Sequence, residues 1–371
     1  MKKIFLLSII FFSAVSAKAF DGYDKRHFAK AEITDIIQNE ISNADNSKMY
    51  ETKFKLKILS GKFKGQNKEI TFQGEDSMPQ DVKYRKGNRI FLAITEDNYN
   101  QDNPEYISLY DIDNSKPLIF LSLLTFLMIL GIGRLKGFLS LMSLIFTIML
   151  IFIIFIPLTL KGFSPLLLSI GISFISIIIT LPVITGFSLK TAAAIAGSFS
   201  GILLAALLAL IAGSVMHLSG IITDDMLTVH YASDIQVNLK HLALSGMIIA
   251  ALGAIMDVAV SIASAANEIY SAKPDIDDKT AFRSVFTIGK DILGSMVNTL
   301  VLAYAGSSLA LILIISLKFS SEMPFMMILN YNPVLSEIIK ALIGSIGMFF
   351  CIPATAIISV KLFHRKHNSG I

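Results

Sequence analysis

Two hydrophobic rhythms divide the chain. Over residues 50–59 apolar and polar positions alternate, with Phe54, Leu56 and Ile58 on one side and Lys53, Lys55 and Lys57 on the other, the period of a strand with one wet face. Similar short runs at residues 28–37, 69–72, 89–95 and 106–110 are set apart by turn signals at Gly61, Gly65, Gly74, Gly87 and Pro104. They predict a small antiparallel all-β domain, a sandwich or an OB-like barrel.

After residue 116 the alternation gives way to long apolar blocks at 118–133, 138–157, 166–186, 191–218, 242–266, 285–317 and 338–362. All but the first reach the roughly 20 residues that cross about 30 Å of hydrocarbon as a helix, and the first comes close. The expected fold is an α-helical polytopic membrane bundle of about seven transmembrane helices behind the β domain. The divisions are 1–19, 20–116, 117–363 and a basic tail at 364–371. In the first of these, Lys2 and Lys3 precede an apolar run that ends near Ala17-Lys18-Ala19, the layout of a signal peptide or of an uncleaved first helix.

Composition fits two solvents. Of 371 residues 53% are hydrophobic and 16% charged, against about 25% charged in soluble proteins. The net charge of +4 does not indicate nucleic acid, because residues 20–116 hold 15 Lys and Arg against 17 Asp and Glu. The lone Cys351 excludes a disulfide framework and a thiolate metal site. With residues 20–116 outside the cytoplasm, Arg134, Lys136, Lys190, Lys273, Lys279, Arg283, Lys361, Arg365 and Lys366 fall on the cytoplasmic side. Only Lys161, Lys240, Lys318 and Lys340 occupy the external loops and helix ends, so the positive-inside rule agrees with the leader and puts the carboxyl terminus in the cytoplasm.

Chemistry concentrates in the fifth and sixth spans. Asp257 lies mid-block among apolar neighbours, where a carboxylate has to face protein, water or a cation. Asp257, Ser261, Ser264 and Glu268 share one helical face. Asp291, Ser295 and Asn298 share a face of the next span, with Lys290 beside them. Counting residues from the connecting loop puts Asp257 and Asn298 at comparable depth, so the two seams are expected to meet and to hold a cation or relay a proton. The competing reading makes Asp257 a structural residue bonded to a neighbouring Ser or Asn. An aspartyl protease pairing Asp257 with Asp291 is disfavoured, since neither sits in a Gly-x-Gly-Asp sequence. Asp224, Asp225, His230, Asp234, His241 and His217 cluster near one loop without metal-ligand spacing.

Small residues mark packing. Gly197, Gly201, Ala205, Ala209 and Gly213 repeat every fourth residue in the fourth span, and Gly246, Ala250 and Ala254 do so in the fifth, stripes that let backbones approach closely. Pro182 and Pro353 stand in apolar blocks as candidate breaks or kinks.

The stretches Leu252-Gly253-Ala254-Ile255-Met256-Asp257 through Ser264, Ile288-Gly289-Lys290-Asp291 through Leu300, Gly344 through Pro353, Leu59 through Gly65 and Arg134-Leu135-Lys136-Gly137 resemble the YibE/F-like family of multi-pass bacterial membrane proteins. The resemblance implies an external domain joined to several helices, in the bacterial cytoplasmic (inner) membrane, and carries no activity, substrate or cofactor. The functional expectation is an ion-coupled transporter or permease with a polar path around Asp257 and Asn298. Its partners would be the lipid bilayer, a small ion or proton and an envelope protein. The alternative is a non-catalytic scaffold or sensor that docks an envelope partner through the β domain. No enzyme motif, cofactor loop or catalytic residue set is recognised.

Overall fold

The computed structural model describes residues 26–42, 48–75, 84–96, 105–220, 224–232, 237–319 and 324–369. The leader, the turn at Pro104 and Asp234 lie outside them. The chain divides into two units, one ending at Ile132 and one formed by Gly133–Ile371.

The first unit contains five strands where alternation predicts them: β1 (Arg26–Ser42), β2 (Lys48–Ile58), β3 (Asn67–Glu75), β4 (Arg89–Glu96) and β5 (Glu105–Ile112). They form one antiparallel sheet in the order β3-β2-β1-β4-β5. Strand β1 serves two partners. Its first half pairs with β4, from Arg26 opposite Thr95 to Glu32 opposite Arg89, and its second half with β2, from Ala31 opposite Ile58 to Ser42 opposite Lys48. The register slips between Ile33 and Asp35, and the Thr34 hydroxyl there donates to the Lys55 carbonyl oxygen at 2.9 Å. Such a bulge bends a strand and lets one strand change partners.

Alternation sorts the side chains. Phe54, Leu56 and Ile58 are buried, joined in the core by Ala31, Ile33, Ile70, Ile90 and Leu92, while Lys55 and Lys57 face outward. The sheet is tied to the chain that follows it at Asp113. The Lys30 ammonium lies 2.7 Å from Asp113 Oδ2 and 4.8 Å from the centre of the Phe91 ring. Asp113 Oδ1 accepts the Ser115 backbone N–H at 3.1 Å and also the Ser115 hydroxyl. Asp113 thereby satisfies a donor at the start of the first helix, as an acidic cap does.

The helices are α1 (Ser115–Leu150), a π-helical turn (Ile151–Phe155), α2 (Ile156–Leu160), α3 (Pro165–Thr185), α4 (Leu189–Val215), α5 (Asp224–Ala232), α6 (Leu239–Ala272), α7 (Asp278–Ser307), α8 (Leu309–Phe319), α9 (Phe325–Leu329) and α10 (Asn332–Ser369). Six stretches among the described residues are long and apolar enough to cross a membrane. The first, Ser115–Leu160, has 46 residues, about 69 Å at about 1.5 Å per residue, or more than twice a bilayer core. It is broken at Arg134, whose φ of 47° and ψ of −130° leave helical space, and so contains two of the seven predicted spans. The predicted span 285–317 is shorter than expected. Helix α7 stops at Ser307, where Gly306, Ser307 and Ser308 bring together weak helix formers. Pro182 and Pro353 do not end their helices, which continue to Thr185 and Ser369.

The second unit is organised by close contact among α4, α6 and α10. A Cβ placed on Gly197 would overlap the Thr355 hydroxyl and fall 2.8 Å from Thr355 Cβ. On Gly201 it would meet Ile255 Cγ2 at 2.8 Å and the Gly347 carbonyl oxygen at 3.1 Å, and on Gly213 Leu244 Cδ1 at 3.0 Å. Ala205 and Ala209 are fully buried in the same row. Around it Ile255, Val258, Ala259, Ile262, Cys351 and Ala356 are fully buried. Helix α3 packs on α6 and satisfies its buried hydroxyls locally. Ser169 and Ser173 donate to carbonyls one turn back, and Ser176 bonds Thr147 of α1 at 2.8 Å, as polar groups without access to water require. The small residues of α6 behave differently from those of α4. Gly246 meets nothing within 4 Å and Ala250 is exposed, because α6 uses its opposite face, Ala251, Ile255, Ala259 and Ile262, for the core.

Two outcomes follow from this packing. Gly197→Ala should cost about 1–3 kcal/mol through overpacking in reversible detergent unfolding, whereas Gly171→Ala, inside α3 with nothing within 4 Å, should be neutral or stabilise by up to about 1 kcal/mol. The Asp113 bonds make a pH signature. Hydrogen bonds from the Lys30 ammonium and then from Ser115 hold the Asp113 carboxyl down to about 2. A depressed acid stabilises the fold above its unfolded value, about 3.9, and loses that contribution as pH falls through its folded value. The fall in Tm of the β domain between pH 4 and pH 2, followed by circular dichroism, should therefore be smaller in Asp113→Asn, with the variant already less stable at pH 6.

Candidate functional site

Asp257 stands at the midpoint of α6, between residues that are entirely buried. Ile255, Val258 and Ala259 turn inward, and Asp257 itself is exposed on the surface of the chain. It makes no hydrogen bond or ion pair with the described residues. Toward the end of α6, Ser261 and Ser264 are half-buried and Glu268 is exposed. Upward from the midpoint Gly253, Ala250 and Gly246 continue the same outward line. An acidic group at the bilayer centre costs about 2.5–3.5 kcal/mol on insertion scales, so this position is expensive wherever lipid reaches it.

Helix α7 is seated by one edge. Ala281, Val285 and Gly289 are its buried residues, and a Cβ on Gly289 would meet Ile352 Cγ2 at 2.5 Å and Ile262 Cδ1 at 2.9 Å. Further along, Leu300 reaches Gly344, which also faces Ala251. Because α6 and α7 run antiparallel, these two contacts fix their relative heights. Interpolating between them sets Asp257 level with Gly294 and Ser295, Ser261 level with Lys290 and Asp291, and Gly253 level with Asn298. Asn298 is thus about 6 Å, or four residues at about 1.5 Å each, from the depth expected by counting from the loop. The connecting segment and the helix starts are not symmetric about it.

The direction of the α7 seam also departs from expectation. At about 100° per residue, Asn298 lies diametrically opposite Gly289, with Asp291, Gly294 and Ser295 to either side. All four are exposed, as is Lys290. Lys290 places its ammonium 5.0 Å from the Phe286 ring, and the Thr299 hydroxyl donates to the Ser295 carbonyl oxygen at 2.9 Å. Within one chain the α7 seam therefore turns away from α6, and no hydrogen bond among the described residues joins Asp257 to Asp291, Ser295 or Asn298. Periodicity groups each set of polar residues on one face of its helix. It contained no information on which face each helix turns to its neighbours, because Gly289, the residue that decides it, looks like any other small residue.

A second polar group appears where α7 ends and α10 begins. The Lys340 ammonium lies 2.6 Å from Glu337 Oε1 and 5.5 Å from the centre of the Tyr304 ring. The Tyr304 hydroxyl and Glu337 Oε2 are buried without a hydrogen-bond partner among the described residues. The signal for this group in the sequence is slight, Glu337 and Lys340 three apart at the start of an apolar span. Elsewhere, Ser198 and Ser359 keep buried hydroxyls unpaired among the described residues in the α4–α10 seam. Ser164 and His241 Nδ1 approach to 3.3 Å in a pocket with Thr159 and Asn238, about 24 Å from Asp257 along α6. Among the described residues no three His, Cys, Asp or Glu side chains converge as metal ligands.

Comparison with known proteins matches both parts of this architecture. A family model described as YibE/F-like protein covers residues 121–365, more than half of the chain and including both polar faces. A second, described as the YibE/F family N-terminal domain, covers residues 25–108, the five-stranded sheet. No curated protein and no solved structure matches the chain. With its strands and its helices each recognised in the expected order, the chain belongs to the YibE/F-like family.

Proposed function

We propose that this membrane protein conducts or couples the movement of a small cation, proton or sodium, along the polar faces of α6 and α7. The observation that carries the reading is an ionisable carboxylate, Asp257, at the centre of a membrane-crossing helix. Interpolated from the Gly289 and Gly344 contacts, the hydroxyl of Ser295 and the amide of Asn298 on the adjacent helix come within a few residues of its depth. Ionisable groups at mid-membrane are costly and in membrane proteins mark ion or proton pathways. Asp257 is the group that exchanges the cation or proton. Ser261, Ser264 and Glu268 continue the line on α6, and Lys290 and Asp291 stand where α7 carries charge. The reading places the β domain outside the cytoplasm and the Asp278 end of α7 inside, in keeping with the distribution of Lys and Arg. The β domain then serves as a gate or as the docking module for an envelope protein.

Purified full-length protein in liposomes should pass protons or sodium, read with pH- and sodium-sensitive dyes. Asp257→Asn at equal incorporation should reduce that flux to the level of empty liposomes. Flux equal to wild type in Asp257→Asn would sink the reading. Absence of flux from folded wild type would favour the scaffold alternative, in which deletion of the β domain, rather than Asp257→Asn, abolishes function in cells.

A further inference from the structure

We infer that the outward faces of α6 and α7 form a two-fold interface with a second copy of this chain. Of the six membrane-crossing stretches, α7 is the least apolar and the least buried by its own chain. The face it turns outward is its most polar one, with Asp291, Ser295 and Asn298 exposed opposite Gly289. Polar faces of membrane helices are directed to protein or to water, not to acyl chains. Next to it α6 presents Gly246, Ala250 and Gly253 in line with Asp257, also exposed. These small residues leave room for a helix backbone to approach.

Charge identifies the occupant as a second copy. An interface related by a two-fold axis along the membrane normal brings residues of equal depth together, since both copies share one orientation. A face carrying carboxylates alone would repel itself under that operation. This one carries Lys290 and Asp291 as consecutive residues, so the ammonium of one copy meets the carboxylate of the other twice over. Asp257, level with Gly294 and Ser295, finds on the second copy the hydroxyl and close backbone that the described residues of its own chain do not supply. The interface stands on the exposed faces of α6 and α7 and on their charge pattern, without the transport reading. Its use as an ion path rests on the transport reading above, for which the polar route would be completed only between two copies.

Native mass spectrometry of full-length protein extracted directly into lipid nanodiscs tests the interface, with Lys290→Asp, Asp291→Lys and the double exchange compared with wild type. Wild type should be two copies, each single exchange should shift the population to one copy, and the double exchange should restore two. Single copies of wild type, with or without another polypeptide attached, overturn the inference. So do single exchanges that remain two-copy particles. If both single variants fail to fold, cross-linking decides. In a Cys351→Ala background Asn298→Cys should give a cross-linked two-copy product in membranes with a short bis-maleimide, and Leu203→Cys on exposed α4 should not; equal yields from both overturn the inference. The two readings separate cleanly. Two-copy wild type without flux removes transport and leaves the interface, and flux from single copies does the reverse.

Discussion

The bundle depends on how closely three backbones approach one another. Between α4, α6 and α10 there is no space for even a methyl group at Gly197 or Gly201, and contact at that range supplies dispersion that lipid, as apolar as the side chains, cannot displace by hydrophobicity alone. Once those helices are locked, the orientation of α6 about its own axis is set by Ile255, Ala259 and Ile262, and the outward position of Asp257 is a consequence. The same lock leaves a single shallow seat for α7, formed by Ile262 and Ile352 around Gly289. The polar residues of both helices are therefore placed by apolar contacts on their far sides.

Much of this was legible in the sequence. Alternation over residues 50–59 located β2 and the buried set Phe54, Leu56 and Ile58, because a period of two admits one reading when one face must be dry. Apolar block lengths located the spans, and the fourfold spacing of Gly197, Gly201, Ala205 and Ala209 marked the α4 face that is buried. The stripe Gly246, Ala250 and Ala254 has the same spacing, yet Gly246 and Ala250 face outward and only Ala254 packs against the core, since spacing describes a face and not what lies against it. Orientation required long-range contacts, Gly289 with Ile352 above all, and those are separated by more than sixty positions in the chain. The kink at Arg134 and the stop at Ser307 were likewise local accidents of backbone and composition inside apolar runs.

The polar inventory of the second unit sorts into two kinds. Hydroxyls on α3, such as Ser169 and Ser173, are returned to their own backbone and ask nothing of neighbours. Among the described residues Asp257, Asp291 and Asn298 have no such partner, and neither do the buried hydroxyls of Tyr304 and Ser359. Interior hydroxyls of the first kind cost little and hold helices. Groups of the second kind keep their hydrogen-bonding capacity in reserve, and those named here lie on α6, α7 and α10, within residues 121–365 that the family model covers.

The Lys30–Asp113 bond joins residues 83 positions apart, and β1 cannot complete its pairing with β4 until Thr95 is available. Long-range pairings of this kind form late, after the intervening chain has been closed into a loop. Asp113 stands two residues before Ser115, the first residue of α1. The β domain is therefore fastened by a residue that also caps the first apolar helix, so the same two-residue step of chain closes the sheet and opens α1.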